Sequence, residues 1–362
     1  MTSLPDHYET VRERDDYEPV EGAVGPVPAA ERRRFVAVDD GGVLTRTDER
    51  RTLVATGVGM TGPPHLGTVG QFLTAVALQE AGLDVQFVIA DLEPYHSGVP
   101  LDRVRALAER YRAFALDLGF DPDRGRLRTQ SEAREVMHTA QLLAPYYDPE
   151  AWDEGRDAGD GDAAADADPP PTEWERAVRE AYEAADGEQG PATAAVERSG
   201  PTSEAADYHS AVLHGADFLH PLYAGDYEQL VLQLGVDERH LTRMTRRFRD
   251  AAPVEGGVAG LYTRMLPGFD GTPKMAKSIP GSGVSLAMAP AEIRDRIGGD
   301  SGGDPARSPV FGAMCLASHY DAERLDRLEA ACEAGGDEWD RAKAAYAEFV
   351  VGLAERWRAT GD

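Results

Sequence analysis

Lysine is nearly missing from this chain. Among 362 residues only Lys274, Lys277 and Lys343 are lysines, although Lys and Arg together number 37. Cysteine is as scarce: Cys315 and Cys332 are too few for a disulfide framework and lack zinc-site spacing. Both are expected on C-terminal helices, in the core or facing a partner. No apolar run approaches the roughly 18 residues of a membrane span. The N-terminus (Asp6, Glu9, Glu13, Asp15, Asp16) has no basic, apolar, small-residue progression, so it does not read as a secretory signal. A soluble, cytoplasmic protein without a membrane partner is expected. Positive charge is in deficit as well, since 64 Asp and Glu leave a net charge of −27. Taken simply, that argues against a polyanionic partner. Acids spread along the whole chain, with Arg replacing Lys, also suit a halophilic surface in concentrated salt. There the Debye length falls to about 3 Å at 1 M and self-repulsion is screened. Local basic patches, not global charge, then decide nucleic-acid binding.

What is present is a periodic chain, 42% apolar, long enough for one large or two ordinary domains. Residues 1–50 read as an acidic, irregular N-terminal extension, with a basic knot at Arg32, Arg33 and Arg34 that is either a phosphate contact or a cluster balancing nearby acids. From residue 51 the pattern sharpens. Leu53–Gly59 reads as a buried strand ending in glycines, Met60–Pro64 as a turn, and His65–Thr68 as the entry to a helix carrying Phe72, Leu73 and Val76. A second strand is expected at Val85–Asp91 and a third at Leu127–Thr129, with helices between them and after. Strands alternating with helices of this length imply an α/β fold with a Rossmann-like parallel sheet.

Residues 149–207 differ, with seventeen Asp and Glu against four Arg. This acidic low-complexity insertion has too little apolar surface to order throughout. An isolated amphipathic helix is expected over Trp174–Ala185, and no chemistry. Order is expected again from Tyr208, with a strand at Glu228–Leu234 and a basic helix at His240–Asp250. Residues 51–285 then form the catalytic domain and 286–362 an all-helical C-terminal domain.

Two stretches carry chemistry. Lys274-Met275-Ala276-Lys277-Ser278 places two of three lysines three residues apart; an ammonium on a flexible stem suits a moving phosphate. Far upstream, Thr56–Thr68 is a strand, a Gly/Pro turn and a helix start. A helix N-terminus presents backbone N–H groups and a positive dipole to an anion, and Gly67 lets a flat ligand approach the backbone.

Together these stretches resemble the two signatures of class I aminoacyl-tRNA synthetases, HIGH (here His65-Leu66-Gly67-Thr68) and KMSKS (here Lys274-Met275-Ala276-Lys277-Ser278). Their order and separation resemble the tryptophanyl/tyrosyl subclass. The archaeal and eukaryotic tryptophanyl type is most visible at Asp237-Glu238-Arg239-His240-Leu241-Thr242-Arg243. The resemblance implies ATP and Mg²⁺, an amino acid (tryptophan first, tyrosine next), tRNA as acceptor and a homodimer. His65, Thr68, Lys274 and Lys277 would be catalytic. Gly57, Gly59, Gly67, Asp237, Met275 and Ser278 would join them in binding ATP. Ala55, Gly57, Val88, Glu93 and Glu238 would bind the amino acid. No protein-held metal is implied.

This chain departs from the family at several points. Thr68 replaces the second His and Ala276 the first Ser of the signatures. Glu238 stands where the family has Gln, Ala55 where close relatives have Tyr, and Val88 about where they have Gln. These changes raise two alternatives: an adenylate-forming paralogue with a non-tRNA acceptor, and a non-catalytic binding protein on the same scaffold. Arg239, Arg243, Arg246, Arg247 and Arg249 either receive phosphates or form a salt-bridged helix face.

Overall fold

Six strands form one sheet in the order β1-β6-β5-β2-β3-β4. They are β1 (Phe35–Val38), β2 (Thr52–Gly59), β3 (Asp84–Ala90), β4 (Gly125–Thr129), β5 (Gln229–Gly235) and β6 (Gly257–Thr263). This computed structural model describes residues 3–22, 25–148, 172–187, 200, 202–277 and 279–361. β2 through β6 pair in parallel, as the alternating pattern predicts, and β1 adds an antiparallel edge against β6. The chain thus has the expected α/β architecture. The stretch expected to be irregular before residue 51 supplies both that edge strand and a capped helix, α1 (Leu4–Asp15), whose Ser3 and Asp6 form a capping box.

Helices cover both faces of the sheet, which is why its strands are apolar almost throughout. They are α2 (Leu66–Glu80), α3 (Leu101–Asp117), α4 (Arg134–Leu143), α5 (Glu173–Gly187), α6 (Glu204–Tyr223) and α7 (His240–Ala251). Then come α8 (Pro290–Gly298), α9 (Pro309–Leu316), α10 (Ala322–Ala334) and α11 (Gly336–Ala359). Val54, Phe87, Ile89, Val231 and Leu261 face a core shared with α2, α3 and the C-terminal helices. Leu53, Leu230, Leu232 and Leu234 face α1, α5, α6 and α7. Cys315 and Cys332 are free and buried in the first core.

Contacts on several elements tie the C-terminal helices to the sheet and its covering helices. Gly70 on α2 lies so near Leu316 on α9 that an added Cβ would come within 2.4 Å of its Cγ. Arg110 donates to the Trp357 carbonyl at 3.1 Å. In the basic knot, Arg34 bonds Glu31 and the Leu316 and Ser318 carbonyls, and Arg33 pairs with Asp326 and Glu329. Arg32 donates to the Glu21 carbonyl. The knot is a structural joint, which favours the second of its two readings.

The acidic insertion holds a correction. Its helix, α5, is not isolated: Trp174 stacks on His7 of α1 with ring centroids 4.4 Å apart. Trp174, Val178 and Tyr182 recur at helical spacing and face the core. Buried Arg239 joins the pair by donating to Asp15 of α1 at 2.8 Å and Glu175 of α5 at 3.0 Å.

Candidate active site

The strand order reverses at β2, whose neighbours are β3 on one side and β5 on the other. In doubly wound sheets ligands bind in the crevice beyond the strand ends at such a point. A cavity of about 320 Å³ opens there, within the range of small-molecule sites. Gly57, Gly59, His65, Gly67, Thr68, Asp237, Glu238, Lys274, Met275 and Lys277 all line it. The structure therefore brings together most residues singled out in the sequence. Ala55 and Val88 lie outside that wall, buried in the sheet; Ala55 packs toward α6. Glu93 also lies outside the wall, with its carboxylate against Gly59, where an added Cβ would meet Oε2 at 3.0 Å. Ser278 lies outside the described residues.

Backbone pairing, not side chains alone, joins the two signatures. His65 forms an antiparallel bridge with Ser285, Leu66 N–H donates to the Val284 carbonyl at 3.1 Å, and Leu286 N–H donates to the Pro64 carbonyl at 2.8 Å. The chain leaving the lysine loop is thus bonded to the start of α2. Buried Ser282 holds the loop itself, accepting from Ala276 N–H at 3.0 Å and donating to the Ile279 carbonyl at 2.8 Å.

His65 caps α2. Its Nδ1 accepts the Thr68 backbone N–H at 3.1 Å, which satisfies one orphan donor of the helix. That bond places the ring proton on Nε2, a donor suited to a phosphate oxygen. Burial, aided by the Lys277 charge, lowers the imidazole to about 3, so it is neutral at physiological pH. Gly67 is required by the same ring: an added Cβ would lie 2.9 Å from His65 Cε1 and 3.3 Å from Met275 Cε.

The two lysines are held differently. Lys274 Nζ is in a short ion pair with an Asp237 carboxylate oxygen. Burial pulls the ammonium down, but Asp237 outweighs it and holds Lys274 above its usual range. Burial raises Asp237 in turn, and Lys274 outweighs that to keep it ionised. Lys277 has no such acid. Its Nζ donates to the Tyr111 hydroxyl at 3.4 Å, and that hydroxyl donates to the Gly62 carbonyl at 2.9 Å. Burial lowers Lys277 to about 8. Glu238 accepts the Gly235 N–H at 3.2 Å; burial, then the Asp237 charge, raises it to about 7.

Two wall residues escape motif reading. Tyr182 comes from α5 in the acidic insertion, where no chemistry was expected; the stripe Trp174–Val178–Tyr182 was the available signal. Arg264 comes from the residue after β6, signalled only by an Arg directly following an apolar strand. Arg243 and Arg246 of the basic helix instead pair with Asp15 and Asp39, and Arg249 with Asp250. For these, with Arg239, the salt-bridged reading holds.

Residues 47–147 match the family of class I tRNA synthetases (W and Y). The tryptophan–tRNA ligase of Methanopyrus kandleri is 28% identical, over 89% of this chain and 85% of that one. The tryptophanyl-tRNA synthetase of Aeropyrum pernix has the same fold at a TM-score of 0.66 and 20% identity, covering 99% of this chain and 91% of that one. So does the Encephalitozoon cuniculi enzyme, solved with tryptophan, at 0.67 and 16%, covering 98% and 97%. Residues 47–147 thus carry that family's match, and the chain as a whole has the fold of the tryptophanyl-tRNA synthetases it resembles. The cavity lies where the sheet's strand order reverses and both signature stretches reach its wall.

No helix among the described residues is long and apolar enough to cross a membrane. No group of three or more His, Cys, Asp or Glu there could hold a metal ion.

Proposed function

We propose that this protein activates tryptophan with ATP and transfers it to tRNA. The observation that carries the reading is the bonding of the first signature to the segment leaving the lysine loop at the switch point, through His65 and Ser285. Tryptophan is the choice because the matched relatives are named for it.

In the proposed first step the amino-acid carboxylate attacks the α-phosphorus of ATP. The bond from that phosphorus to the bridging oxygen breaks, and pyrophosphate leaves. In the second, a ribose hydroxyl of the tRNA terminus attacks the acyl carbon and AMP departs. The chain's work is positioning and charge stabilisation. Gly67 offers the adenine a flat backbone. His65 Nε2–H and the Thr68 hydroxyl face the phosphates, and Lys274 and Lys277 follow the β- and γ-phosphates. Ser278 would add a hydroxyl at the end of this loop. Mg²⁺ would come with ATP on its phosphate oxygens and would supply charge neutralisation there. Asp237, once released by Lys274, is free to accept from the ribose. Glu93, against Gly59, and Glu238, against Gly235, provide the negative field for the substrate's ammonium. Gly57 would border its side chain, while Ala55 and Val88, buried in the sheet outside the wall, would act only through the backbone that Val88 packs against at Gly57.

We further place the enzyme in the cytoplasm as a homodimer with a surface adapted to high salt. Its −27 net charge supports the last point. A melting temperature that does not rise with KCl would refute that adaptation, and a monomeric mass by light scattering would refute the dimer. The activity is tested by charging total tRNA with each of the twenty amino acids. Tryptophan charging alone supports the reading. Adenylate formation without charging of any tRNA refutes the acceptor.

A further inference from the structure

Arg264 directly follows the last residue of β6. Its backbone N–H donates to the Arg34 carbonyl at 2.9 Å. The preceding Thr263 lies in register with Gly235, the last residue of β5. Its Cα is thus pinned at the carboxyl edge of the sheet. The side chain lines the switch-point cavity with Asp237 and Lys274, and also borders a groove beside Tyr8, Arg12 and Arg33.

Among the described residues the Arg264 guanidinium has neither a hydrogen bond nor an ion pair, and its Nε is buried without a partner. Arginines around it have acid or carbonyl partners: Arg33 pairs with Asp326 and Glu329, although its Nε is unmatched, Arg34 with Glu31 and two carbonyls, and Arg239 with Asp15 and Glu175. With 64 acids for 37 Lys and Arg, carboxylate partners are plentiful in this chain. A buried donor left unmatched is costly; other arginines also leave Nε unmatched, but Arg264 does so at the cavity wall and with no partner on the rest of its guanidinium.

The other cations at the cavity are weaker sources of positive charge across the working pH range. Lys274 is neutralised by Asp237. Lys277 is lowered by burial to about 8, and His65 is neutral. Arginine stays charged throughout the working pH range, and its planar fork takes two oxygens of one phosphate. The adjoining groove is also lined by Glu21 and Glu329, so its charges are mixed and it continues no positive track for a nucleic acid.

Resting on the reading of the cavity as an ATP site, we propose that Arg264 binds the β- and γ-phosphate oxygens of ATP and holds pyrophosphate as it leaves. Charge grows on the bridging oxygen as its bond to the α-phosphorus breaks, and a fixed guanidinium there stabilises it without reorganising.

The test is equilibrium binding by calorimetry of ATP, pyrophosphate and AMP to the full chain and to Arg264→Gln and Arg264→Lys. The expected result is at least a tenfold weakening of ATP and pyrophosphate in Arg264→Gln, AMP within twofold of the parent, and partial recovery in Arg264→Lys. Unchanged ATP binding overturns the inference. So does equal weakening of ATP and AMP, which marks a merely structural role. Should Arg264→Gln fail to fold, Arg264→Lys decides alone, because a point charge on a different stem still weakens pyrophosphate more than AMP. A parent protein that binds ATP yet exchanges pyrophosphate with no amino acid would sink the proposed activity and leave this inference standing.

Discussion

Lys274, in the loop after β6, is ion-paired with Asp237, at the turn after β5. The contact closes the switch-point crevice from the β5 side and spends the loop's first ammonium on a protein carboxylate. Phosphate binding must exchange one partner for another. Asp237 thereby becomes a brake on the loop as well as an acceptor in the site.

Removing the ammonium should be costly. Lys274→Ala is expected to lower kcat/KM for ATP by about 10²–10³-fold, the usual penalty for one fixed transition-state donor. Asp237→Asn should leave Lys274 unpaired and free to reach the phosphates, so the KM for ATP should fall while kcat also falls. Steady-state exchange kinetics on both variants check this. An Asp237→Asn protein with a raised KM for ATP would show that the pair does not compete with ATP.

Lys277 sets an alkaline limit. Burial places its folded value near 8, below the ordinary lysine range. It is therefore charged below that pH and neutral above it, where the phosphates lose a cation. The profile of kcat/KM for ATP, which reports the free enzyme, should decline above about pH 8. Lys277→Arg should remove the decline at whatever rate it retains. A parent profile flat to pH 9.5 would contradict the assignment.

Acid should loosen the fold at pH values above the ordinary carboxylate range. His7, His65, His214 and His240 are all lowered by burial, to about 4, 3, 4 and 4. Between their folded values and the unfolded 6.5, the unfolded chain binds more protons, so stability falls as pH drops through that window. Each histidine contributes at most about 1.4 kcal/mol per pH unit. Asp217 and Glu238 act in the opposite sense. Burial raises them to about 6 and 7, so the folded state holds more protons and gains stability on acidification. Four groups outnumber two, and denaturant unfolding should show a net loss from pH 6.5 to 5. A constant midpoint across that range would refute it.

Most of the sheet and much of the site were legible because they are local. A short apolar strand, a glycine turn and a helix start announce themselves in consecutive residues, and the lysine pair stands out in a chain with one other lysine. The edge strand β1 was hidden because four apolar residues carry no partner information, and its hydrogen bonds go to β6, more than two hundred positions away. The docking of α5 was hidden for a related reason. A count of acids made the insertion read as solvated, whereas its burial depends on one stripe, Trp174, Val178 and Tyr182, and on an ion-pair partner, Arg239. Composition averages over the stripe. Arg264 could not be picked out among the chain's arginines until its lack of a partner was visible.

That docking gives a further expectation. Arg239→Ala removes the closer of two cations shared by Asp15 and Glu175 and leaves Arg14 at 3.4 and 3.5 Å, so the loss should fall below that of a wholly broken buried pair, about 3–5 kcal/mol. Much of the loss should be local. Hydrogen exchange should rise across α1 and α5, and the KM for ATP should increase as Tyr182 leaves the cavity wall. Tyr182→Ala should reproduce the KM change without the exchange. Exchange rates unaltered by Arg239→Ala would mean that α5 does not rest on this clamp.

The central claim is that His65 and the lysine loop form one adenylate-forming site. Amino-acid-dependent exchange of labelled pyrophosphate into ATP, run with each of the twenty amino acids, tests it most directly. The account predicts exchange with tryptophan, at least a hundredfold less in Lys274→Ala. No exchange with any amino acid, or full exchange in Lys274→Ala, would contradict it.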